Sequence, residues 1–156
     1  MIMDDLPLLE NLDISNTKVR DISALVKAKD RLKRLSIAEL RLQGSSSSHI
    51  EVLVQLGELM HLDISDSDKT DNHPFQALVP HSKWNVSEFL VRCISSPPVP
   101  VFLPKLISLD VSGHELSSME VLTLFISCHP HLNFLGLMLT NMCSQPFFQE
   151  KIVTWL

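Results

Sequence analysis

One short apolar phrase recurs five times along this chain of 156 residues, and it constrains the fold more than any other feature. In its clearest copy, from Leu106 to Val111, large apolar residues stand at the first, fourth and sixth positions. Four further copies begin at Leu9, Leu32, Leu59 and Leu132. Three of the five copies continue as Leu-Asp-Ile-Ser or Leu-Asp-Val-Ser, so the chain is built from similar consecutive units.

The spacing of the copies identifies the kind of unit. Successive starts lie 23, 27, 47 and 26 residues apart. Three of these steps fall within the period of leucine-rich repeats, about 20–29 residues. The long step equals one period plus an insertion of about 20 residues. We therefore expect an α/β leucine-rich-repeat solenoid of about five strand–helix units with a curved parallel sheet, and an irregular insertion at about residues 66–86 after the third repeat.

The domain assignment follows from the same pattern. We take residues 1–156 as one leucine-rich-repeat domain, because a unit of this kind cannot bury its apolar face without a neighbour. A solenoid also requires polar caps at its ends. The chain begins shortly before the first repeat and closes on Trp155-Leu156 in an apolar run. We expect a fragment or short isoform of a longer protein.

Polar residues before apolar stretches predict where the connecting helices begin. Asp21 is expected to cap a helix over 22–28, Ser48 one over 49–57, and Ser87 one over 88–94. Ser117 and Glu120 form a capping-box pattern before a helix that ends near residue 127. A last helix is expected to begin near Gln145-Pro146.

Composition excludes several classes of function. The formal net charge of −5 provides no electrostatic footprint for nucleic acid. No stretch approaches the roughly 18 uninterrupted apolar residues of a membrane span, and no signal peptide is apparent after Met1. Three cysteines without a Cys-x-x-Cys pair indicate reduced, buried thiols. We expect a cytoplasmic or nuclear protein.

The fifth position of the repeat carries the first candidate site. Aspartate occupies it in three repeats, as Asp13, Asp63 and Asp110, with Ser36 and Gly136 in the other two. This row is either a ligand-binding stripe or a structural element in which each aspartate accepts hydrogen bonds near the serine two residues on. The sequence favours the structural interpretation. The candidate protein-binding residues of the concave face are Asp13, Arg34, Ser36, His61, Asp63, Ser108, Asp110 and Phe134.

The remaining candidates are weaker. Cys128-His129-Pro130-His131 supplies zinc-type ligands but lacks a fourth one at a suitable spacing, so a helix-to-strand turn is favoured. Asp66, Asp68 and Asp71 lie close together without the glycine and glutamate of a calcium loop. Basic residues between 27 and 41 form either a solvated convex face or a docking patch for an acidic partner. We expect no enzyme activity, metal or cofactor.

Two longer phrases go beyond a generic repeat. Residues 9–17, LENLDISNT, and residues 103–113, LPKLISLDVSG, resemble the leucine-rich region of the Zyg/Zer family of substrate receptors of cullin-2 RING ubiquitin ligases. The resemblance implies an amino-terminal box that docks elongin C and cullin-2, then leucine-rich repeats, then armadillo-like repeats that read substrates with an N-terminal glycine. No such box is recognisable before Leu6 and no armadillo region after Leu156, so no docking residue is carried over.

The resemblance thus implies a scaffold that binds and positions proteins for ubiquitin-dependent degradation. A different function remains open, because a solenoid of this size also suits a stand-alone adaptor. Such an adaptor would bind a protein or peptide on its concave face.

Overall fold

A computed structural model describes residues 3–66, 84–94, 101–116, 118–138 and 140. Strands alternate with helices along the described chain. The strands are β1 (Asn11–Asp13), β2 (Arg34–Ser36), β3 (His61–Asp63), β4 (Ser108–Asp110) and β5 (Phe134–Gly136). A 3₁₀ helix (Ser23–Ala28) follows β1, and the α-helices are α1 (Ser46–Val54), α2 (Val86–Cys93) and α3 (Met119–Cys128).

The five strands form one parallel sheet in the order β1-β2-β3-β4-β5. Each strand pairs with the next in sequence, and the register aligns the central leucines Leu12, Leu35, Leu62, Leu109 and Leu135. A helix lies between each pair of consecutive strands, because parallel neighbours need a crossover connection. The predicted leucine-rich-repeat solenoid is confirmed.

The strands are only three residues long, but backbone hydrogen bonds between repeats continue past them. Just after each strand, one N–H group donates to a carbonyl oxygen of the next repeat at 2.9–3.0 Å; the donors are Ile14, Ile37, Ile64 and Val111. Two residues further, a second set donates at 2.8–2.9 Å; these donors are Asn16, Glu39, Asp66 and Gly113. The turns after the strands are therefore tied from repeat to repeat, which stiffens the solenoid.

The core lies between the sheet and the helices. In the second, third and fourth repeats the apolar residues at positions one, four and six are at most 2% exposed. Leu12 and Leu135 in the outer described repeats are half-buried. Burial of one leucine side chain contributes about 2 kcal/mol, so the stability comes from leucines stacked between neighbouring repeats.

The first connecting helix differs from its prediction. The sequence indicated an α-helix over 22–28, whereas a 3₁₀ helix spans Ser23–Ala28. This connection belongs to the shortest repeat, and a 3₁₀ helix rises about 2.0 Å per residue compared with 1.5 Å for an α-helix. Asp21 does not cap it; its Oδ1 instead accepts a hydrogen bond from the Ser23 N–H at 2.9 Å in the preceding turn.

Two of the predicted helix caps are wrong by two or three residues. Ser45, not Ser48, caps α1, and its hydroxyl accepts a hydrogen bond from the Ser48 N–H at 3.2 Å. Asn85, not Ser87, caps α2 by accepting from the Glu88 N–H at 3.0 Å. The earlier starts place buried residues, such as Val86 in α2, within the helices and against the core.

The third cap is shifted by one residue. Ser118 caps α3 and accepts from the Val121 N–H at 3.1 Å. The predicted cap Ser117 lies outside the described residues, as do the last predicted helix and most of the predicted insertion. The described chain resumes at Trp84, and Val86 already belongs to α2 rather than to the insertion.

Exposed ion pairs link neighbouring repeats and use part of the basic segment. Lys27 pairs with Asp4 at 2.7 Å, and Lys33 pairs with Glu10 at 2.9 Å. Arg34 from the same segment begins β2 and lines the concave face instead. The basic residues between 27 and 41 therefore do not form one convex patch. Each exposed pair contributes between zero and about 1 kcal/mol.

Candidate protein-binding face

Two rows of side chains cover the concave side of the sheet. The strand register places the first residue of every strand in one row, which consists of Asn11, Arg34, His61, Ser108 and Phe134. The third residues form the other row, which consists of Asp13, Ser36, Asp63, Asp110 and Gly136. We call these the first row and the acidic row.

A trough of about 460 Å³ runs along both rows. All eight residues named from the sequence as candidate binding residues line it, which leaves Asn11 as the polar lining residue that the sequence analysis missed. Its position two residues before Asp13 matches that of Arg34 before Ser36, so the repeat alignment contained the signal. The volume falls in the range of about 300–1,000 Å³ that is typical of ligand-binding clefts.

Each aspartate of the acidic row accepts a hydrogen bond from the serine two residues further on. The Oδ1 atoms accept from the serine N–H groups at 2.9–3.0 Å; the pairs are Asp13–Ser15, Asp63–Ser65 and Asp110–Ser112. For Asp13, the backbone N–H of Ser15 is the main cause that lowers the pKa of the carboxyl group. One oxygen of each carboxylate thus has the structural role that the sequence favoured.

The second carboxylate oxygens are less fully used. Asp63 Oδ2 has a long contact of 3.5 Å with the Ser36 hydroxyl. Asp110 Oδ2 accepts no hydrogen bond from a described residue, and neither carboxylate forms an ion pair within the described ranges. Asp63 and Asp110 occupy directly paired strand positions, where like charges repel each other. A cation bound near both carboxylates would relieve this repulsion.

Gly136 leaves the space that the Asp110 carboxylate occupies. A Cβ atom at Gly136 would lie 2.3 Å from Asp110 Oδ1 and 3.0 Å from Oδ2. The Asp110 carboxylate therefore leans over β5 at Gly136. No other residue type would permit this arrangement without displacing Asp110.

The first row has a different character. Arg34 is exposed and has no ion-pair partner in the part of the chain that the structure describes. Burial, followed by the positive charge of Arg34, lowers the pKa of His61 and so favours its neutral form. Phe134 is 53% exposed at the β5 end. The face thus combines a cation, a neutral imidazole and an aromatic ring opposite the acidic row.

The alternative chemical sites behave as structural elements. His129 is 1% exposed, and its Nδ1 and Nε2 atoms lie 2.7 Å and 3.0 Å from the carbonyl oxygens of Phe125 and Phe102. Its ring stacks on Phe125 with the centroids 4.1 Å apart. These contacts agree with the predicted helix-to-strand turn. Within the described ranges, no three His, Cys, Asp or Glu side chains are grouped to hold a metal ion.

The described cysteines give no sign of a nucleophile. Burial raises the pKa of the Cys93 thiol to about 12, which keeps it protonated and inert. Cys128 is half-buried at the end of α3. Cys143, Asp68 and Asp71, which belonged to the other sequence-based candidates, lie outside the described residues.

Among the helices of the described chain, none combines the length and the apolar composition that a membrane-spanning helix needs.

Comparisons with known proteins point to a family. A family model described as Zer-1-like, leucine-rich repeats, matches residues 1–121. The Protein zer-1 homologs of Homo sapiens and Pongo abelii are each 33% identical to the chain over 106 residues. These alignments cover 68% of this chain and 12% of each relative, so the chain spans only a small part of the length of either.

Proposed function

Because the chain belongs to the Zer-1-like leucine-rich-repeat family, we propose that it is the leucine-rich scaffold of a substrate receptor in a cullin-2 RING ubiquitin ligase. Leucine-rich repeats of this kind are protein-interaction modules. In this role the chain binds and positions proteins for ubiquitin-dependent degradation and does no chemistry itself. The observation that carries the proposal is the family match over residues 1–121.

The stiffness of the solenoid supports a positioning role. Stacked leucines fill the core from β1 to β5, and two sets of backbone hydrogen bonds connect the turns after the strands. Three exposed ion pairs add links between repeats, and a fourth, Lys27–Asp4, links the first repeat to the segment before it. Because packed interfaces resist gradual deformation, a stiff module holds what lies on either side of it at a fixed separation.

The partners follow from the same resemblance. In a receptor of this family, elongin C and cullin-2 are the expected partners on the ligase side. Proteins with an N-terminal glycine are the expected substrates. This chain contributes the spacing between those functions, and its concave face is available for a further protein contact.

One observation favours a second candidate function. The concave trough is open, contains charges of both signs and has an exposed aromatic ring at one end. Such a face also suits an adaptor that binds a protein or peptide without any ligase. The two functions predict different sets of bound proteins.

The test is affinity purification of the natural protein that carries this chain, tagged at its own locus in cells, with quantitative mass spectrometry. The receptor proposal predicts that elongin C and cullin-2 are enriched over an untagged control. Their absence, together with a saturable partner that is lost on Asp63→Asn and Asp110→Asn, would establish the adaptor instead.

A matched variant makes this test specific for the acidic pair. Asp21→Asn changes an aspartate with the same kind of serine contact outside the trough. A concave-face partner held by Asp63 and Asp110 is retained by Asp21→Asn and lost by the double substitution. Elongin C and cullin-2 are retained in both variants under the receptor proposal.

A further inference from the structure

We propose that the concave face binds an extended peptide segment with a basic side chain at its centre, an acidic side chain two residues to one side and a large apolar side chain two residues to the other. The basic side chain lies between Asp63 and Asp110, the acidic one at Arg34 and the apolar one on Phe134. This inference rests on the protein-binding role proposed above but not on the assignment to a cullin-2 ligase.

The central position is defined by the paired carboxylates. Asp63 and Asp110 are direct partners in the register of β3 and β4. Their Oδ1 atoms are held by the N–H groups of Ser65 and Ser112, which fixes the direction of both carboxylates. No cation from the described residues offsets the two charges. The Asp110 carboxylate extends towards Gly136 of β5, so a bridging group must span the gap between the two carboxylates. The guanidinium group of a partner's arginine has N–H donors on several sides and can donate charge-assisted hydrogen bonds to both.

The flanking positions lie one strand to either side of this pair. Arg34 is on β2, and Phe134 is on β5. Neighbouring strands are about 4.8 Å apart, so the point midway between β3 and β4 lies about 7 Å from β2 and about 7 Å from β5. In an extended peptide, side chains two residues apart share a face and are separated by about 6.7 Å. Across the strands the two spacings match. The first row is offset from the acidic row by two residues, about 6.7 Å along the strands, and the long side chains of Arg34 and of the partner's basic residue cover this offset.

The chemistry at each flank selects one kind of side chain. Arg34 is exposed and forms no ion pair with a described acidic residue. An acidic side chain of a partner can therefore form an ion pair with its guanidinium group. Phe134 is 53% exposed and offers an apolar surface. Between them, His61 is held in its neutral form by burial and by Arg34, so it does not repel the central basic side chain.

The shape and charge of the trough favour a peptide over other polymers. Four strand intervals give a length of about 19 Å, which accommodates about six residues of extended chain. Nucleic acid is disfavoured because its phosphates would lie against the acidic row. A trough of about 460 Å³ is open enough to admit a backbone as well as side chains.

The test uses the full chain and a fluorescent peptide with blocked ends. Glutamate, arginine and leucine occupy alternate positions of this peptide, with serine between them. A control peptide of the same composition exchanges arginine and leucine, which places leucine over the two carboxylates. Fluorescence anisotropy gives each Kd at low and at physiological salt. We expect the first peptide to bind about tenfold or more tightly than the control, with weaker binding at higher salt.

Variants assign the binding to the proposed positions. Asp63→Asn with Asp110→Asn should raise Kd by at least about tenfold. Asparagine retains an oxygen for the serine N–H groups, and unchanged circular dichroism verifies the fold. Asp21→Asn is the matched control, because Asp21 also accepts a hydrogen bond from the N–H of the serine two residues further on, at 2.9 Å from Ser23, but does not line the trough. It should change Kd by less than about twofold, which is well under 1 kcal/mol.

A charge exchange tests the acidic flank. Arg34→Glu should weaken binding of the first peptide, and replacement of its glutamate by lysine should restore binding to this variant. Equal binding of the two peptides, equal loss in Asp21→Asn and the double variant, or no binding at about 1 mM peptide would overturn the inference. If elongin C and cullin-2 are nevertheless captured, only this inference fails and the proposed function stands.

Discussion

Replacement of Gly113 by alanine should be among the most damaging substitutions of a small residue in this chain. Gly113 follows β4 and has a φ angle of +84°, a conformation that alanine adopts at a cost of about 1–2 kcal/mol. A Cβ atom built on it would lie 1.8 Å from the carbonyl oxygen of Asp66 in the preceding repeat. This atom belongs to the backbone, so it cannot rotate away.

The size of the effect follows from what must move. Real Cβ contacts essentially never fall below 3.0 Å, so the two repeats must separate locally by about 1.2 Å. That movement disrupts the hydrogen bonds from Asp66 N–H to Ser112 O and from Gly113 N–H to Met138 O, at 2.9 and 2.8 Å. Each contributes about 1 kcal/mol, so with the conformational cost we expect a loss of about 3–4 kcal/mol in the free energy of unfolding.

Two other glycines serve as matched controls. Gly44 has a φ angle of +95°, but its Cβ position is only 3.4 Å from the Ser48 hydroxyl oxygen and meets no backbone, so Gly44→Ala should cost about 1 kcal/mol. A methyl group at Gly57 would meet nothing within 4 Å. Gly57→Ala should therefore be neutral or stabilising by up to about 1 kcal/mol.

Urea denaturation followed by far-ultraviolet circular dichroism measures all three variants. From the most to the least stable, we expect the variants in the order Gly57→Ala, Gly44→Ala and Gly113→Ala. If Gly113→Ala lost no more stability than Gly44→Ala, the contact between Asp66 and Gly113 would not be a rigid link between repeats. The second set of hydrogen bonds would then not hold neighbouring repeats at a fixed distance.

Three further predictions concern single residues. Burial lowers the pKa of His49 against the opposing effect of Asp21, so the unfolded chain binds a proton more readily and stability should fall as pH drops below about 6.5; denaturation of His49→Leu should lack this part of the pH dependence. Asn85→Ala should cost about 1 kcal/mol by chemical denaturation, and Ser87→Ala less, because Asn85 caps α2. Under native conditions, peptide mapping after iodoacetamide treatment should show Cys93 modified far more slowly than Cys128, and comparable rates would contradict the raised pKa of Cys93.

The architecture could be predicted because one repeat pattern determines the strand–helix unit, the stacking of the units and the pairing of their strands. Leucines at the first and fourth positions recur at the period of a strand–helix unit, and only stacking buries them. Parallel pairing of consecutive strands follows, and it aligns Asp13, Ser36, Asp63, Asp110 and Gly136 without further information. The two rows of the concave face were therefore accessible from the sequence.

Local detail depended on contacts that the sequence does not display. Four consecutive serines, from Ser45 to Ser48, offer equivalent capping groups, and burial along α1 decides among them. The 3₁₀ form of the first connection reflects the span to be covered rather than the residue types in it. The approach of Asp110 to Gly136, and of Asp66 to Gly113, depends on distances between repeats.

The most direct test of the scaffold function is a replacement experiment. This chain is placed in the human Protein zer-1 homolog in exchange for the matching 106-residue segment. The half-life of a reporter with an N-terminal glycine is then measured in cells that lack the endogenous Protein zer-1 homolog. Under the proposed function, we expect the parent protein and the chimera to shorten this half-life to a similar extent, and the chimera with Gly113→Ala to leave it unchanged. A chimera that folds and leaves the reporter as stable as in cells without any receptor would contradict the proposed function.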